Sequence, residues 1–177
     1  ATFAPYAATG SRLAIEPIVI APPVEGRRRV TTRLRFDGSI GGGSVQGLDL
    51  PIALRIGPGS AIALDGGCTA IAFTRLDIIG ARLGASRLNL CATGPALLAR
   101  DAEGRITGGA TIAAPRLSGR LNGEPLVIAA RTLRVSPADF AMAGLDVRLA
   151  PETHLQIDRL GGEFAGLHGR YAGAAGS

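Results

Sequence analysis

The two cysteines are the residues whose type and spacing most directly suggest chemistry. Cys68 and Cys91 are the only cysteines in the chain, and apolar residues alternate with small or polar ones along both halves of the segment between them. This two-residue period predicts a β-hairpin with the cysteines at its outer ends, close enough to pair. A disulfide there would close a loop of about 24 residues, contribute roughly 3 kcal/mol, and persist in an oxidising compartment. Two buried free thiols are the alternative interpretation.

Histidines and acids form no recognisable catalytic or metal-binding pattern. His154 and His168 are the only histidines, and no acid or cysteine stands near them at a metal-ligand spacing, so both are predicted to be surface or edge residues. The aspartates fall at predicted strand ends or alternate outward, too far apart for a calcium site: Asp49, Asp65, Asp77, Asp139, Asp146 and Asp158. We therefore expect no enzyme, no catalytic residue, no metal and no cofactor.

Basic residues are plentiful, but they do not form a nucleic-acid site. All 19 are arginine, and the formal net charge is +5, which favours an anionic partner. The arginines alternate with apolar residues along predicted strands, as in Arg33-Leu34-Arg35-Phe36, and aromatic residues are not interleaved with them. Glycine pairs do not precede helices, so no phosphate-binding loop is predicted. Nucleic acid is not an expected partner.

The elements that must position these residues are predicted to be strands almost throughout. Gly or Pro interrupts every stretch that could show a helical period, whereas alternation recurs, and Asn122-Gly123 signals a hairpin. The sequence predicts an all-β fold, a long meandering antiparallel sheet of about a dozen short strands. Residues 1–177 are expected to form one module, with a candidate flexible loop at 37–47. The alternation slips at Thr74-Arg75, which indicates a β-bulge or a strand corner. Residues 136–139 could instead begin one helical turn.

One face of this sheet is apolar along nearly its whole length. Such a face must meet another sheet, close on itself or contact a hydrophobic ligand. Large aromatic residues are scarce, with five Phe, two Tyr and no Trp, which favours a strongly curved, half-pipe sheet with a hydrophobic groove over a compact sandwich. The residues expected to line the groove are Leu50, Ile52, Leu54, Ile71, Phe73, Leu88, Leu90, Ile106, Ile112, Val147, Leu149, Leu155 and Ile157.

Four glycine-punctuated strand motifs carry a family resemblance. They are Cys68–Phe73 (CTAIAF), residues 86–95 (SRLNLCATGP), residues 109–121 (GATIAAPRLSGRL) and residues 162–176 (GEFAGLHGRYAGAAG). In their order they resemble a section of the YdbH-type, AsmA-like proteins of Gram-negative bacteria. The resemblance covers residues 60–176 best and residues 11–59 only in general character, and the cysteine pair is its best single marker.

The resemblance implies a section of a longer periplasmic protein, anchored to the inner membrane outside this fragment. In that family, phospholipid is thought to move between inner and outer membranes along the groove. The family carries no catalytic residues, so the resemblance implies none for this chain. The expected partners are thus phospholipid acyl chains, with both membranes reached through the full-length protein. The alternative function is a structural or adhesive β-module of the cell envelope with a closed core.

Overall fold

The computed structural model describes residues 6–8, 10–40, 42–149, 152–164 and 168–176, and this part of the chain is nearly all β-strand. Nineteen strands belong to one hydrogen-bonded sheet. They are β1 (Tyr6–Ala8), β2 (Ser11–Ile15), β3 (Val19–Ile20), β4 (Arg28–Ile40), β5 (Gly43–Ile56), β6 (Ile62–Asp65), β7 (Cys68–Phe73), β8 (Arg75–Ile78), β9 (Ala81–Leu83), β10 (Ser86–Ala92), β11 (Ala96–Arg100), β12 (Ile106–Gly108), β13 (Ala110–Ala113), β14 (Arg116–Leu121), β15 (Glu124–Ala129), β16 (Thr132–Val135), β17 (Asp139–Leu149), β18 (Thr153–Glu163) and β19 (His168–Gly176).

Many of these strands are collinear pieces of longer passes across the sheet. Consecutive strands that run in the same direction form one pass, so that β2–β3, β6–β8, β9–β11, β12–β14 and β15–β16 are single passes with short breaks. Each pass pairs antiparallel with the passes just before and after it in the chain. The described chain therefore forms an antiparallel meander of eleven passes, in which sequence neighbours are also spatial neighbours.

The all-β antiparallel meander is confirmed, while three finer predictions need correction. The strands of the described residues number nineteen rather than about a dozen, because breaks divide the long passes. Residues 37–47 form most of a paired hairpin rather than a loop, since Gly38 lies opposite Val45 and Ile40 opposite Gly43; Gly41 lies outside the described residues. Residues 136–139 begin no helix: the Ser136 side chain accepts hydrogen bonds from the backbone of Ala138 and Asp139 in a turn.

Two transverse rows of irregularities cross the sheet, and together we call them the bulge line. At these positions the ladder pairing is interrupted in pass after pass, and within each row the ladder registers place the positions opposite one another. The register between β9–β11 and β12–β14 offsets the two rows by three residues. The bulge line consists of Asp37, Gly47, Thr74 and Ala85 in the first half of the sheet, and Ala114, Arg131, Gly144, Asp158 and Gly173 in the second. The irregularity predicted at Thr74 is thus one member of a series.

Polar side chains lie over glycines along the bulge line. Gly47, Gly144 and Gly173 have φ angles of 62°, 59° and 64°, which is the left-handed region that favours glycine. A Cβ atom added to each would collide with the side chain across the ladder, that of Thr74, Arg131 or Asp158 respectively. Only the interruption at Asp37 shifts the register, which is the extra residue of a β-bulge. At the other positions the same register continues on both sides of the interruption.

The disulfide joins directly opposed residues of β7 and β10. Cys68 lies opposite Cys91 in the ladder, their Cα atoms are 3.9 Å apart, and the two sulfur atoms are bonded. The hairpin deduced from alternation is therefore confirmed, and so is the pairing of the cysteines. The bond links two neighbouring passes in the middle of the sheet.

We expect reduction of Cys68–Cys91 to lower the free energy of unfolding by about 3 kcal/mol, because the unfolded chain regains the freedom of a closed loop. Urea unfolding with and without a thiol reductant measures the change. The double variant Cys68→Ser, Cys91→Ser is the control, and its midpoint should not respond to reductant. Two reactive thiols in non-reduced protein from an oxidising compartment would contradict the prediction.

We expect Gly144→Ala to destabilise the sheet by about 1–2 kcal/mol, since alanine tolerates a positive φ poorly and its Cβ would displace the Arg131 side chain. Gly94→Ala is the matched control. No heavy atom lies within 4 Å of a Cβ added at Gly94, so the change there should stay within about 0.5 kcal/mol. Equal urea midpoints for the two variants would show that the bulge line tolerates side chains.

Candidate functional site: an uncovered apolar face

Few side chains in the described part of the chain are buried, because a second layer does not cover the sheet there. The buried apolar residues are Val45, Phe73, Leu83, Ala96, Ile112, Leu126 and Leu145, and none has a relative exposure under 2%. The chain of 18.0 kDa has an accessible surface of 11504 Å². A compact monomer of that mass would expose roughly 8,000 Å². The excess is what an open sheet with two accessible faces would give.

An apolar cavity lies on one face, at the centre of the sheet. Its volume is about 440 Å³, within the roughly 300–1,000 Å³ that small-molecule sites occupy. No charged side chain is among its lining residues, which are Leu50, Pro51, Ile52, Leu64, Thr69, Ile71, Leu90, Leu97, Leu98, Gly109, Ala110, Ile112, Val135, Ser136 and Pro137. We call this region the apolar cavity.

Cross-strand pairing explains why these residues meet. Leu64 lies opposite Leu54 on one side and Leu98 on the other, and β7 brings Ile71 opposite Leu88 of β10. Since residues directly opposite one another in a ladder share a face, apolar positions of five neighbouring passes form one continuous surface. The alternation within each strand thus sets which side of the sheet carries the cavity.

Five of the thirteen predicted groove residues line this cavity: Leu50, Ile52, Ile71, Leu90 and Ile112. Leu54, Phe73 and Leu88 belong to the same strands without lining it. Ile106 is 57% exposed in the short strand β12. Val147, Leu149, Leu155 and Ile157 lie beyond the bulge line, where β17 and β18 pair with each other and β17 with β15. The thirteen residues therefore divide between two regions of the sheet.

Sequence reasoning missed four large aliphatic residues of the cavity: Leu64, Leu97, Leu98 and Val135. Leu64 and Val135 continue alternations that were recognised, and extending each run by one strand would have found them. Leu97 and Leu98 are consecutive, so a strict two-residue period would assign only one of them to this face. A register shift between Ala96 and Leu98 in the β6–β11 ladder explains how both reach the cavity.

The opposite face carries the charged residues, and we call it the arginine face. Arg29 and Arg55 both contact Asp65 at 2.6 Å, Arg33 contacts Asp49 at 3.0 Å, and further pairs join Arg35 to Glu16 and Arg75 to Asp77. These side chains are partly exposed, so each pair contributes little on its own. Their effect is to keep the arginines beside acidic residues on the solvent-exposed arginine face, away from the apolar cavity.

Asp146 is the centre of a polar cluster that the sequence did not reveal. Arg148 donates to it at 2.9 Å and Gln156 at 3.3 Å, while Nε2 of His154 lies 2.9 Å from its second oxygen. The Arg148 guanidinium first, and then His154, hold the pKa of the Asp146 carboxyl well below its usual value of 3.8. The predicted surface position of His154 is compatible with this contact, whereas its acidic neighbour comes from the adjacent strand. The side chain of His168 lies outside the description.

In the residues that the structure describes, no three His, Cys, Asp or Glu side chains come together as a metal site would require. The Asp146 cluster contains no cysteine, serine or threonine that could act as a nucleophile, and its carboxylate is held ionised by its donors. What it can do is fix the β17–β18 ladder on the arginine face. The uncovered apolar face is therefore the candidate functional surface.

Comparison with known proteins adds no relative. The chain matches no family profile, no curated protein and no solved structure. Nor does the described part of the chain contain a helix that is long and apolar enough to span a membrane.

We expect Asp146→Asn to lower the stability of the protein at pH 7. Because the folded-state pKa of Asp146 lies below its unfolded value, the stabilisation is full above about pH 4 and shrinks as the pH falls toward the folded-state pKa. Thermal melts of wild type and variant should therefore converge in acid. Asp158→Asn is the control on the next strand, and a gap between wild type and Asp146→Asn that is constant from pH 7 to pH 2 would contradict the prediction.

Proposed function

We propose that the chain is a non-enzymatic, lipid-binding section of a bridge-like protein that moves phospholipid between two membranes along a hydrophobic groove. The observation that carries this proposal is the apolar cavity on an uncovered sheet face. Its lining offers hydrocarbon contact and no charge, which suits an acyl chain and does not suit a polar metabolite. A headgroup would remain in water beside the sheet.

The bulge line supports the curved shape that such a conduit needs. A ladder irregularity such as a bulge bends its strand and increases the local twist, and here such positions align across four passes, from Asp37 to Ala85, and across five, from Ala114 to Gly173. Aligned bends in neighbouring strands add along one axis of the sheet. We propose that they fold the apolar face inward as a half-pipe, with the arginine face outside.

The cellular setting is part of the same proposal. A disulfide persists in an oxidising compartment, which supports a periplasmic location for Cys68–Cys91. The motif resemblance to YdbH-type, AsmA-like proteins supports anchoring of the full-length protein in the inner membrane, with lipid passing to the outer membrane. The rival function, a structural or adhesive module with a closed core, has less support, because a closed core would bury more side chains than the seven described.

The test places a charge inside the apolar cavity and another beside it on the opposite face. Leu90 and Leu98 line the cavity and are incompletely buried, whereas Asn89 is exposed and alternates with Leu90 in β10. Leu90→Asp and Leu98→Asp should each reduce cross-linking to a photoreactive phospholipid by about tenfold, because a carboxylate repels hydrocarbon. Asn89→Asp should cross-link as wild type does.

Stability measured on the same samples separates the two functions. An open groove lets water reach the new carboxylate, so Leu98→Asp should melt within a few degrees of wild type. In a closed core the same change would cost several kcal/mol and unfold the protein. Wild type that never cross-links and carries no lipid through purification by mass spectrometry would refute the lipid proposal.

A further inference from the structure

Two hairpin turns at the same end of the sheet have the same backbone geometry but different residues. The β8–β9 turn consists of Ile79 and Gly80, with φ of 49° and 77°, and the β14–β15 turn consists of Asn122 and Gly123, with φ of 51° and 96°. Two positive φ angles define a type I′ turn, for which Asn-Gly is a preferred sequence. Asparagine tolerates the left-handed region, whereas a β-branched residue is strained there. The isoleucine is therefore in a conformation that its side chain disfavours.

Packing does not account for Ile79 either, because its side chain is 90% exposed. Two further isoleucines are exposed at the same place: Ile78 at 38% and Ile40 at 40%. Ile40 lies opposite Gly43, and Gly43 comes next to Ile78 in the register that pairs Ser44 with Asp77. We call Ile40, Ile78 and Ile79 the isoleucine corner. It presents apolar surface to water at the tips of two neighbouring hairpins.

Arginines stand immediately behind the isoleucine corner. Arg82 lies opposite Asp77 on one side and opposite Arg120 on the other, and Asp77 accepts hydrogen bonds from Arg75 at 2.8 Å and from Arg82 at 3.3 Å. A depression of about 600 Å³ is lined by Asp77, Arg82 and Arg120 together with the turn residues Ile79 and Asn122. Arg75, Arg82 and Arg120 face two carboxylates at this end, Asp77 and the exposed Glu124 beside the second turn, so that one positive charge remains in excess.

We propose that the isoleucine corner is a membrane-surface contact, which inserts into the interface of a bilayer that carries anionic phospholipid. Isoleucine side chains would enter the acyl-chain boundary while Arg82 and Arg120 stay at the level of the phosphates, as long basic side chains do at interfaces. Charge complementarity selects the anionic surface, since each basic residue near such a bilayer strengthens binding.

A lipid surface fits this geometry better than a protein partner. A specific protein interface needs a surface of roughly 1,000 Å² or more with good complementarity, whereas here a narrow pair of hairpin tips projects from the sheet. The inference goes beyond the lipid-binding groove and does not depend on it. The apolar cavity and the isoleucine corner lie on different parts of the sheet and share no lining residue.

The decisive variant is Ile79→Asn, which recreates the turn already present at Asn122-Gly123. Relief of backbone strain should raise the Tm by about 3 °C. Loss of the inserted side chain should weaken binding to vesicles of phosphatidylcholine with phosphatidylglycerol by about tenfold, measured by flotation. If Ile79→Asn raises the Tm and weakens vesicle binding, then the isoleucine side chain contributes to membrane binding and not to the stability of the fold.

Three matched controls complete the experiment. Ile79→Leu keeps an apolar side chain and should bind as wild type does. In the double variant Ile79→Asn, Asn122→Ile, the isoleucine moves to the neighbouring turn beside the same arginines, and vesicle binding should recover. Arg120→Gln should weaken binding to the anionic vesicles about fivefold, without changing binding to vesicles of phosphatidylcholine alone.

The proposal is overturned if Ile79→Asn binds anionic vesicles as tightly as wild type, or if wild type does not float with them. It is also overturned if the Tm of Ile79→Asn fails to rise, since the isoleucine would then belong to the packing of the fold. Failure of the double variant to bind would indicate a shape-specific protein site instead. Photoreactive phospholipid cross-linking at the apolar cavity, measured in detergent, reports on the groove separately.

Discussion

The antiparallel hydrogen-bond ladder is the interaction on which the rest of this structure depends. In a sandwich, two sheets bury each other's apolar side chains, but here all the described strands belong to one sheet, and Ile112 and Leu126 are buried within it. Each pass therefore obtains both its backbone hydrogen bonds and its apolar contacts from the same two neighbouring passes. The register of the ladder sets the apolar cavity, the arginine face and the disulfide together.

The bulge line shows how the ladder combines regular pairing with a change of direction. From β4 onward, each pass places one irregular residue opposite that of its neighbour within the same half of the sheet, and a glycine such as Gly144 provides the room for a neighbouring side chain such as that of Arg131. Because registers on the two sides remain continuous, no pass loses its partners. An irregularity confined to one strand would misalign the apolar faces of adjacent passes, whereas a shared one keeps them aligned.

Alternation and turn residues predicted most of the fold, because both are local properties of the sequence. They located the Cys68–Cys91 hairpin, the Asn122 turn and the slip at Thr74. The places where long passes break were not predictable. The break at Arg131 depends on Gly144, and the register between the strands, rather than the pattern within either strand, places these two residues opposite each other. Contacts such as His154 with Asp146 depend on the register between strands, and a pattern within one strand contains no information about that register.

A meander in which every pass contacts only its predecessor and its successor behaves as a quasi-one-dimensional polymer of similar units. Stability then accumulates from nearest-neighbour terms, as it does in solenoid proteins, and a gain or loss of two passes by duplication or deletion would leave all other pairings intact. The width of the sheet can therefore change in evolution by steps of two passes. Local fraying can start at either lateral edge and stop within the sheet. The Cys68–Cys91 disulfide links two central passes covalently, so the loss of strand pairing stops there.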